Sequence, residues 1–185
     1  LAQTPNLWNQ FLAATVAGLV TAALYAIAAS GLVVTYTTSG VFNFAHGAFG
    51  MMAAFTYWQF TEGWGMPTWL ALLLVVAVVG PIFGSIVERG LMRGLEGTSE
   101  LIKMVVTVSL LLALIGLAPV IWDPTVGRSV PEFFAGTPPV TIAGVGVSIH
   151  RIIIFGSAIL VAIGLRLFLY NTRTGIAMRA VVDDR

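Results

Sequence analysis

Long apolar runs, each of a length that can cross a lipid bilayer, constrain this sequence more than any other feature. Apolar residues make up 58% of the chain and charged residues 9%, against about 25% charged residues in soluble domains. The bilayer core offers no hydrogen-bonding partners, so a spanning chain must satisfy its backbone within helices or a closed barrel. Continuous apolar runs of about 20 residues fit helices. The sequence therefore predicts an all-α fold, a polytopic transmembrane helix bundle.

The runs divide the chain into about five membrane segments, at residues 10–36, 43–60, 68–92, 101–122 and 152–170. The second segment is short for a full span. We expect it to be a broken helix whose N-terminus lies below the membrane surface, an arrangement that is common in transport sites.

Two stretches lie outside this bundle. Residues 123–150 form an extracytoplasmic loop, in which the alternation of residues 140–149 around glycines predicts a small β-hairpin flap. Residues 171–185 leave the last segment, and the pattern of 175–185 fits a short amphipathic helix on the membrane face or in a partner's groove. A solvated tail is the alternative. We treat residues 1–185 as a single membrane domain and expect it to be incomplete at its C-terminus.

The basic residues predict the orientation. Most of them lie on one side of the bundle, namely Arg89, Arg93, Lys103, Arg166, Arg173, Arg179 and Arg185, whereas Arg128 and Arg151 lie on the other. By the positive-inside rule, the 89–103 loop and the C-terminal tail are cytoplasmic and the N-terminus is outside. The five tryptophans, Trp8, Trp58, Trp64, Trp69 and Trp122, then all lie at the outer interface, where such rings concentrate.

Small residues predict where helices pack closely. In the first segment they recur at every fourth position, as Ala14, Gly18, Ala22, Ala26 and Ser30. Such a stripe allows a neighbouring helix backbone to approach. In the third segment, Gly80 and Gly84 form a second pair of this kind beside Pro81, which removes a backbone hydrogen bond and kinks a helix.

The polar stretch between the first two segments carries the least expected residues. An amide or an imidazole in hydrocarbon costs several kcal/mol unless it finds a partner or a wet cavity. Ser39, Asn43, His46 and Gly47 are therefore candidate residues of a translocation pathway. In the plainer alternative, Asn43 caps the free N–H groups of residues 44–46 and His46 satisfies a neighbouring carbonyl.

Several classes of function are disfavoured. The sequence contains no P-loop, no H-E-x-x-H and no G-x-S-x-G motif, and it has no cysteine. A net charge of +1 with scattered basic residues gives no nucleic-acid signature. The lone His150 beside Arg151 is interpreted as a solvated boundary residue. We predict no catalytic residue, no metal site and no cofactor bound by this chain.

Two motifs resemble those of a known family. Asn43-Phe-Ala-His-Gly47, preceded by Tyr36-Thr-Thr-Ser-Gly40, resembles the signature of branched-chain amino acid ABC transporter permeases of the LivH-like type. Thr172-Arg-Thr-Gly-Ile-Ala-Met-Arg-Ala180, followed by acids, resembles the cytoplasmic coupling segment of the same family. Val140-Thr-Ile-Ala-Gly144 with Arg151 is also similar to that family.

The resemblance implies import of branched-chain amino acids across a bacterial inner membrane. It implies a LivM-like permease as a second membrane subunit, two cytoplasmic ATPase subunits that hold ATP and magnesium, and an extracytoplasmic substrate-binding protein, all around a chain embedded in lipid. Asn43 and His46 would lie near the translocation path. The coupling segment would contact the ATPase through Gly175, Arg179, Ala180, Asp183, Asp184 and Arg185. Such permeases continue through further helices, so the chain resembles an N-terminal portion, whether a fragment, a split subunit or part of a fused permease.

Two other readings stay open at this stage. LivH-like permeases also serve urea or short amides, and ribose-type sugar permeases are more distant relatives; neither cargo leaves a charged pocket to find. A membrane scaffold without transport activity would use the stripe and the tail only for packing and docking. A scaffold should tolerate Asn43→Ala and His46→Ala, whereas a permease should lose transport.

Overall fold

The computed structural model describes residues 6–95, 97–130, 132–134, 136–142, 145–173 and 175–176. The chain divides into two compact units. One comprises Leu1–Ser39 with Pro131–Arg185, and the other comprises Gly40–Val130.

The first unit pairs two long helices with a small hairpin. Helix α1 extends over Leu7–Ser39 and packs against α6, Ile149–Asn171. Strands β1 (Val140–Ile142) and β2 (Val145–Val147) are antiparallel, with Val140 opposite Val147. Val147 is buried, and β2 contacts α1. The predicted hairpin flap is confirmed.

The second unit is built from α2 and two longer helical spans. Helix α2 extends over His46–Trp58 and continues through a π-helical turn, Gln59–Gly63. The third span, Thr68–Leu95, is composite. It consists of α3 (Thr68–Leu74), a π turn (Val75–Val79), α4 (Gly80–Val87), a second π turn (Glu88–Met92) and a 3-10 turn (Arg93–Leu95). Helix α5, Glu100–Ile121, begins at Ser99, whose side chain accepts a hydrogen bond from the Ile102 N–H.

Four helical spans in the described part of the chain are long and apolar enough to cross a membrane: α1, the third span, α5 and α6. Helix α2 is the shorter segment that the sequence predicts between the first two of these. The prediction of a polytopic helical membrane protein is confirmed, with four spans of membrane length where about five segments were expected.

The helix of the third span widens into a π turn just before Gly80-Pro81. The Gly80 N–H donates to the Val75 carbonyl, five residues back. Proline lacks an N–H, and its ring crowds the carbonyl four residues before it. A π turn directly before Pro81 relieves this crowding while the helix continues. At the position where the sequence predicts a kink, the structure has a local change of helix type.

Aromatic residues join the end of α5 to the end of α2. Trp122 is 9% exposed, and its Nε1–H donates to Gln59 Oε1 at 3.2 Å. Phe55 stacks on the Trp122 ring, with 5.0 Å between ring centroids. The guanidinium of Arg128 lies 4.8 Å from the centroid of the Trp58 ring. These contacts hold the start of the 123–150 loop against α2.

Asp123 and Arg128 shape the loop just after α5. The Asp123 carboxylate accepts hydrogen bonds from the Thr125 N–H at 2.9 Å and the Thr125 hydroxyl at 2.8 Å, and these donors lower the pKa of Asp123. Arg128 Nη1 donates to the carbonyl oxygens of Asp123, at 2.6 Å, and Val126, at 3.1 Å. The arginine is therefore fixed over Trp58 by the backbone of its own loop.

Trp122→Phe tests this junction. The variant keeps the ring that stacks on Phe55 but removes the N–H that binds Gln59, so we expect a loss of stability of about 1 kcal/mol. The measurement is thermal unfolding of the purified protein in detergent. Trp69→Phe is the matched control, because Trp69 is 68% exposed. Equal destabilisation by the two variants would contradict the role given to the Trp122–Gln59 hydrogen bond.

Candidate functional site

Asn43 builds the turn that leads into α2. Its Oδ1 accepts a hydrogen bond from the Ala45 N–H at 3.1 Å, and its carbonyl accepts one from the His46 N–H at 3.1 Å. This is an Asx turn, in which a side chain replaces a backbone acceptor. Helix α2 begins at His46, three residues later than the sequence predicts, and Ala45 has no side chain that could cap it. Asn43 thus serves one of the N–H groups that it was expected to cap, that of Ala45.

The start of α2 is packed within the second unit on one side only. Ala45 and Ala48 are buried and His46 is half-buried, whereas Gly47 is exposed and a Cβ added there would have nothing within 4 Å. Gly40 adopts φ +70°, the left-handed conformation that glycine tolerates best. The side chain of Ser39 lies outside the described part of the chain. The assignment of Ser39, Asn43, His46 and Gly47 to a translocation pathway stays a prediction.

Thr107 contacts this polar turn from α5. It is 1% exposed, and its hydroxyl donates to the Met104 carbonyl at 2.9 Å and lies 3.4 Å from the Phe42 carbonyl oxygen. Residue 107 therefore joins α5 to the turn at a separation of 65 residues in the chain. No pattern in the sequence indicated this contact. Thr107 and Ser109 are the two hydroxyl residues within the apolar run of α5, and such hydroxyls were the signal that could have found it.

A cavity of about 360 Å³ lies between α2 and the third span. Its lining comprises Phe49, Gly50, Met52, Ala53, Thr56, Val79, Gly80, Phe83 and Gly84. The rings of Phe49 and Phe83 meet edge to face, with 5.4 Å between centroids and 87° between planes. The two glycines that the sequence selects for helix packing thus line a cavity on the side of α2. Their packing role stays a prediction.

The small-residue stripe of α1 lies on the exposed part of its surface. Ala14, Gly18, Ala22 and Ala26 are exposed and Ser30 is half-buried, whereas the neighbouring Ala23 is buried. Within the first unit, a separate face of α1 with Val16, Leu19 and Val20 lines a cavity of about 320 Å³ with residues of β2 and α6. The stripe itself remains a predicted packing surface.

The start of the predicted coupling segment folds tightly against the end of α6. The Thr172 hydroxyl donates to the Phe168 carbonyl at 2.6 Å and accepts from the Gly175 N–H at 3.0 Å, and the Ile176 N–H donates to the Thr172 carbonyl at 3.0 Å. A Cβ at position 175 would meet the Phe168 carbonyl oxygen and lie 2.7 Å from Leu169 Cα. Only glycine fits there without displacing backbone.

The remaining coupling residues, Arg179, Ala180, Asp183, Asp184 and Arg185, lie outside the described residues. Their assignment stays a prediction. Gly175 alone of this set has a described position.

The environment of His150 differs from the one that the sequence predicts. It was expected to be a solvated boundary residue, but it is half-buried and its Nδ1 accepts a hydrogen bond from the Phe133 N–H at 3.2 Å. The Phe133 and His150 rings lie 5.6 Å apart. The imidazole thus fastens the 123–150 loop to the first turn of α6, a contact between residues distant in sequence that no local pattern indicates.

Comparisons with known proteins identify the family. A family model described as "Branched-chain amino acid transport system / permease component" matches residues 14–185. The high-affinity branched-chain amino acid transport system permease protein BraD of Pseudomonas aeruginosa is 29% identical over 190 residues, which cover 97% of this chain and 61% of that protein. The probable branched-chain amino acid transport permease protein LivH of Methanocaldococcus jannaschii is 31% identical over 168 residues, 87% of this chain and 51% of that protein. No solved structure gives a significant match.

The chain therefore spans 61% and 51% of the lengths of these two relatives. The family match includes both the Asn43 turn and the Gly175 turn. Together with spans of membrane length, it shows that this chain is a multi-pass membrane protein that belongs to the permease component family of branched-chain amino acid transport systems.

Proposed function

We propose that this chain forms part of the translocation pathway of an ATP-driven importer of branched-chain amino acids in a bacterial inner membrane. The observation that carries the proposal is the family match over residues 14–185. The names of both relatives, which describe permeases of branched-chain amino acid transport, support the cargo. The chain acts as a transport subunit, and ATP with magnesium is held by its partners.

The proposed assembly contains a LivM-like permease, two cytoplasmic ATPase subunits and an extracytoplasmic substrate-binding protein. The distribution of basic residues supports a cytoplasmic 89–103 loop and tail with the N-terminus outside. The Trp58–Arg128 and Gln59–Trp122 contacts then lie on the outer side. In this arrangement the binding protein releases its ligand at that side and ATP drives transport from the other.

The turn after α6 is the proposed mechanical link. The Thr172 hydroxyl bonds both the Phe168 carbonyl and the Gly175 N–H, and the space between residue 175 and the α6 backbone is too small for a Cβ. We therefore expect a displacement of the segment beyond residue 176 to move the end of α6 with it. A link of this kind joins ATPase closure to movement of the membrane helices.

The cargo experiment uses the complete reconstituted importer with its binding protein. We expect leucine, isoleucine or valine to stimulate ATP hydrolysis and to accumulate in the vesicles. Stimulation by urea or by ribose would support an ATP-driven importer but would replace branched-chain amino acids as its cargo. Failure of any ATPase subunit to co-purify would refute the coupling role and favour a scaffold.

Variants at Asn43 separate the amide from the turn. Asn43→Ala removes the acceptor for the Ala45 N–H, so we expect the start of α2 to lose about 1 kcal/mol and uptake to fall about fivefold or more. Asn43→Asp keeps an oxygen at the same place and is the matched control for the turn. Uptake by vesicles containing equal amounts of assembled complex is the measurement. Wild-type uptake by Asn43→Ala and His46→Ala would argue against a pathway role for this stretch.

Gly175→Ala tests the link at α6. A methyl group forced against the α6 backbone costs about 1–3 kcal/mol and displaces the turn, so we expect ATP hydrolysis to continue with less uptake for each ATP consumed. Gly164→Ala is the control, because a Cβ at Gly164 in α6 would have nothing within 4 Å. An unchanged ratio of uptake to hydrolysis in Gly175→Ala would remove the role of this turn in coupling.

A further inference from the structure

The cavity between α2 and the third span is bounded almost entirely by carbon. Thr56 is the one hydroxyl-bearing residue of its lining, and that hydroxyl donates its proton to the Met52 carbonyl at 2.8 Å. The Phe49 and Phe83 rings, packed edge to face, form one wall of the cavity. An occupant of this cavity is therefore an apolar group, because nothing in the lining compensates the desolvation of a charged one.

Glycines create the space. Gly50, Gly80 and Gly84 line the cavity, and an added Cβ at Gly50 or Gly84 would have nothing within 4 Å. A side chain at either of these two positions would thus be accommodated without a clash. The space exists because side chains are absent from it.

The size of the cavity suits a small molecule. Small-molecule sites measure roughly 300–1,000 Å³, and an apolar cavity of about 150 Å³ already holds a benzene-sized guest. The 360 Å³ found here has room for an aliphatic group of a few carbons with part of its carrier. One turn of a transmembrane helix, about 10 Å across and 5.4 Å long, fills a similar volume of roughly 400 Å³, so a neighbouring helix is the competing occupant that the experiment below tests.

The position of the cavity connects it to the polar turn. His46, Phe49, Gly50 and Thr56 recur on α2 with spacings that place them on one helix face. The ionisable residue at the start of α2 thus lies about one turn from the cavity wall. A molecule with a charged end and an apolar end finds both kinds of surface along this face.

We infer that the α2–third-span cavity is the subsite for the branched aliphatic side chain of the transported amino acid. The inference rests on the proposed function and adds to it a place and a basis for selection by size. The charged amino acid backbone lies toward the Asn43–His46 turn, and the isobutyl or isopropyl group lies against Phe49, Phe83 and the glycines.

Two variants change the cavity in opposite directions. Gly84→Leu fills it, and Phe83→Ala enlarges it. The complete importer is reconstituted in vesicles, and uptake is measured with the binding protein saturated by either leucine or valine. We expect Gly84→Leu to lower the leucine-to-valine uptake ratio and Phe83→Ala to raise it, each by severalfold, because one methylene in such a pocket changes discrimination by about tenfold or more at full burial.

Gly164→Leu is the matched control. Gly164 is also an exposed glycine within a membrane-length helix, with nothing within 4 Å of an added Cβ, and it belongs to the other compact unit and not to the cavity lining. We expect it to leave the leucine-to-valine ratio unchanged. Opposite shifts from a filling and an enlarging variant cannot arise from partial unfolding, since misfolding lowers uptake of both cargoes together.

The outcomes separate two failures. If the wild-type importer transports neither amino acid, the proposed function fails and the subsite fails with it. If the wild type transports both and the two variants keep its ratio, the subsite alone is refuted. Loss of the partner subunits from Gly84→Leu on purification would also refute it, because the cavity would then be a seat for a neighbouring helix.

Discussion

The hydrogen-bonding demand of the backbone in a bilayer governs this molecule. Regular helices meet it internally, so the departures from regular helix are the places where another group must supply a partner. Between residue 39 and α2, Asn43 supplies an acceptor to Ala45, and Thr107 approaches the Phe42 carbonyl oxygen from α5. At the end of α6, the Thr172 hydroxyl both donates to a backbone carbonyl, that of Phe168, and accepts from a backbone N–H, that of Gly175. Irregular backbone and short polar side chains therefore occur together.

The sequence predicts the architecture well because its signals are long and redundant. Apolar runs of membrane length repeat along the chain, and they require no knowledge of tertiary contacts to be recognised as helices. The hairpin at residues 140–147 is also local, since glycines and alternating residues indicate it within ten positions or so. The motif at Asn43–Gly47 indicates the permease family, which the family match over residues 14–185 confirms.

The features that the sequence misses depend on contacts between distant residues or on fine helix geometry. The hydrogen-bond partner of the His150 side chain is the Phe133 N–H, which lies 17 positions earlier. Thr107 gains its role only when α5 is laid beside residue 42. The cavity at Gly80 and Gly84 could not be distinguished from a close-packing face, because the same small residues permit both. Whether these glycines form a cavity or a close-packed face depends on the distance between α2 and the third span. No local sequence pattern encodes that distance.

The π turns of the third span have a consequence for its side-chain register. Ala71, Val75, Val79, Phe83 and Val87 are buried or half-buried, so the inward face of this span repeats every four residues. In an uninterrupted α-helix, a four-residue repeat drifts by about 40° at each step, or about 160° from residue 71 to residue 87. Turns closed over five residues hold more residues than an α turn and underwind the span. The π turn at Val75–Val79 lies within this stripe and offsets part of the drift, which helps to keep Phe83 and Ala71 on the same side of the span.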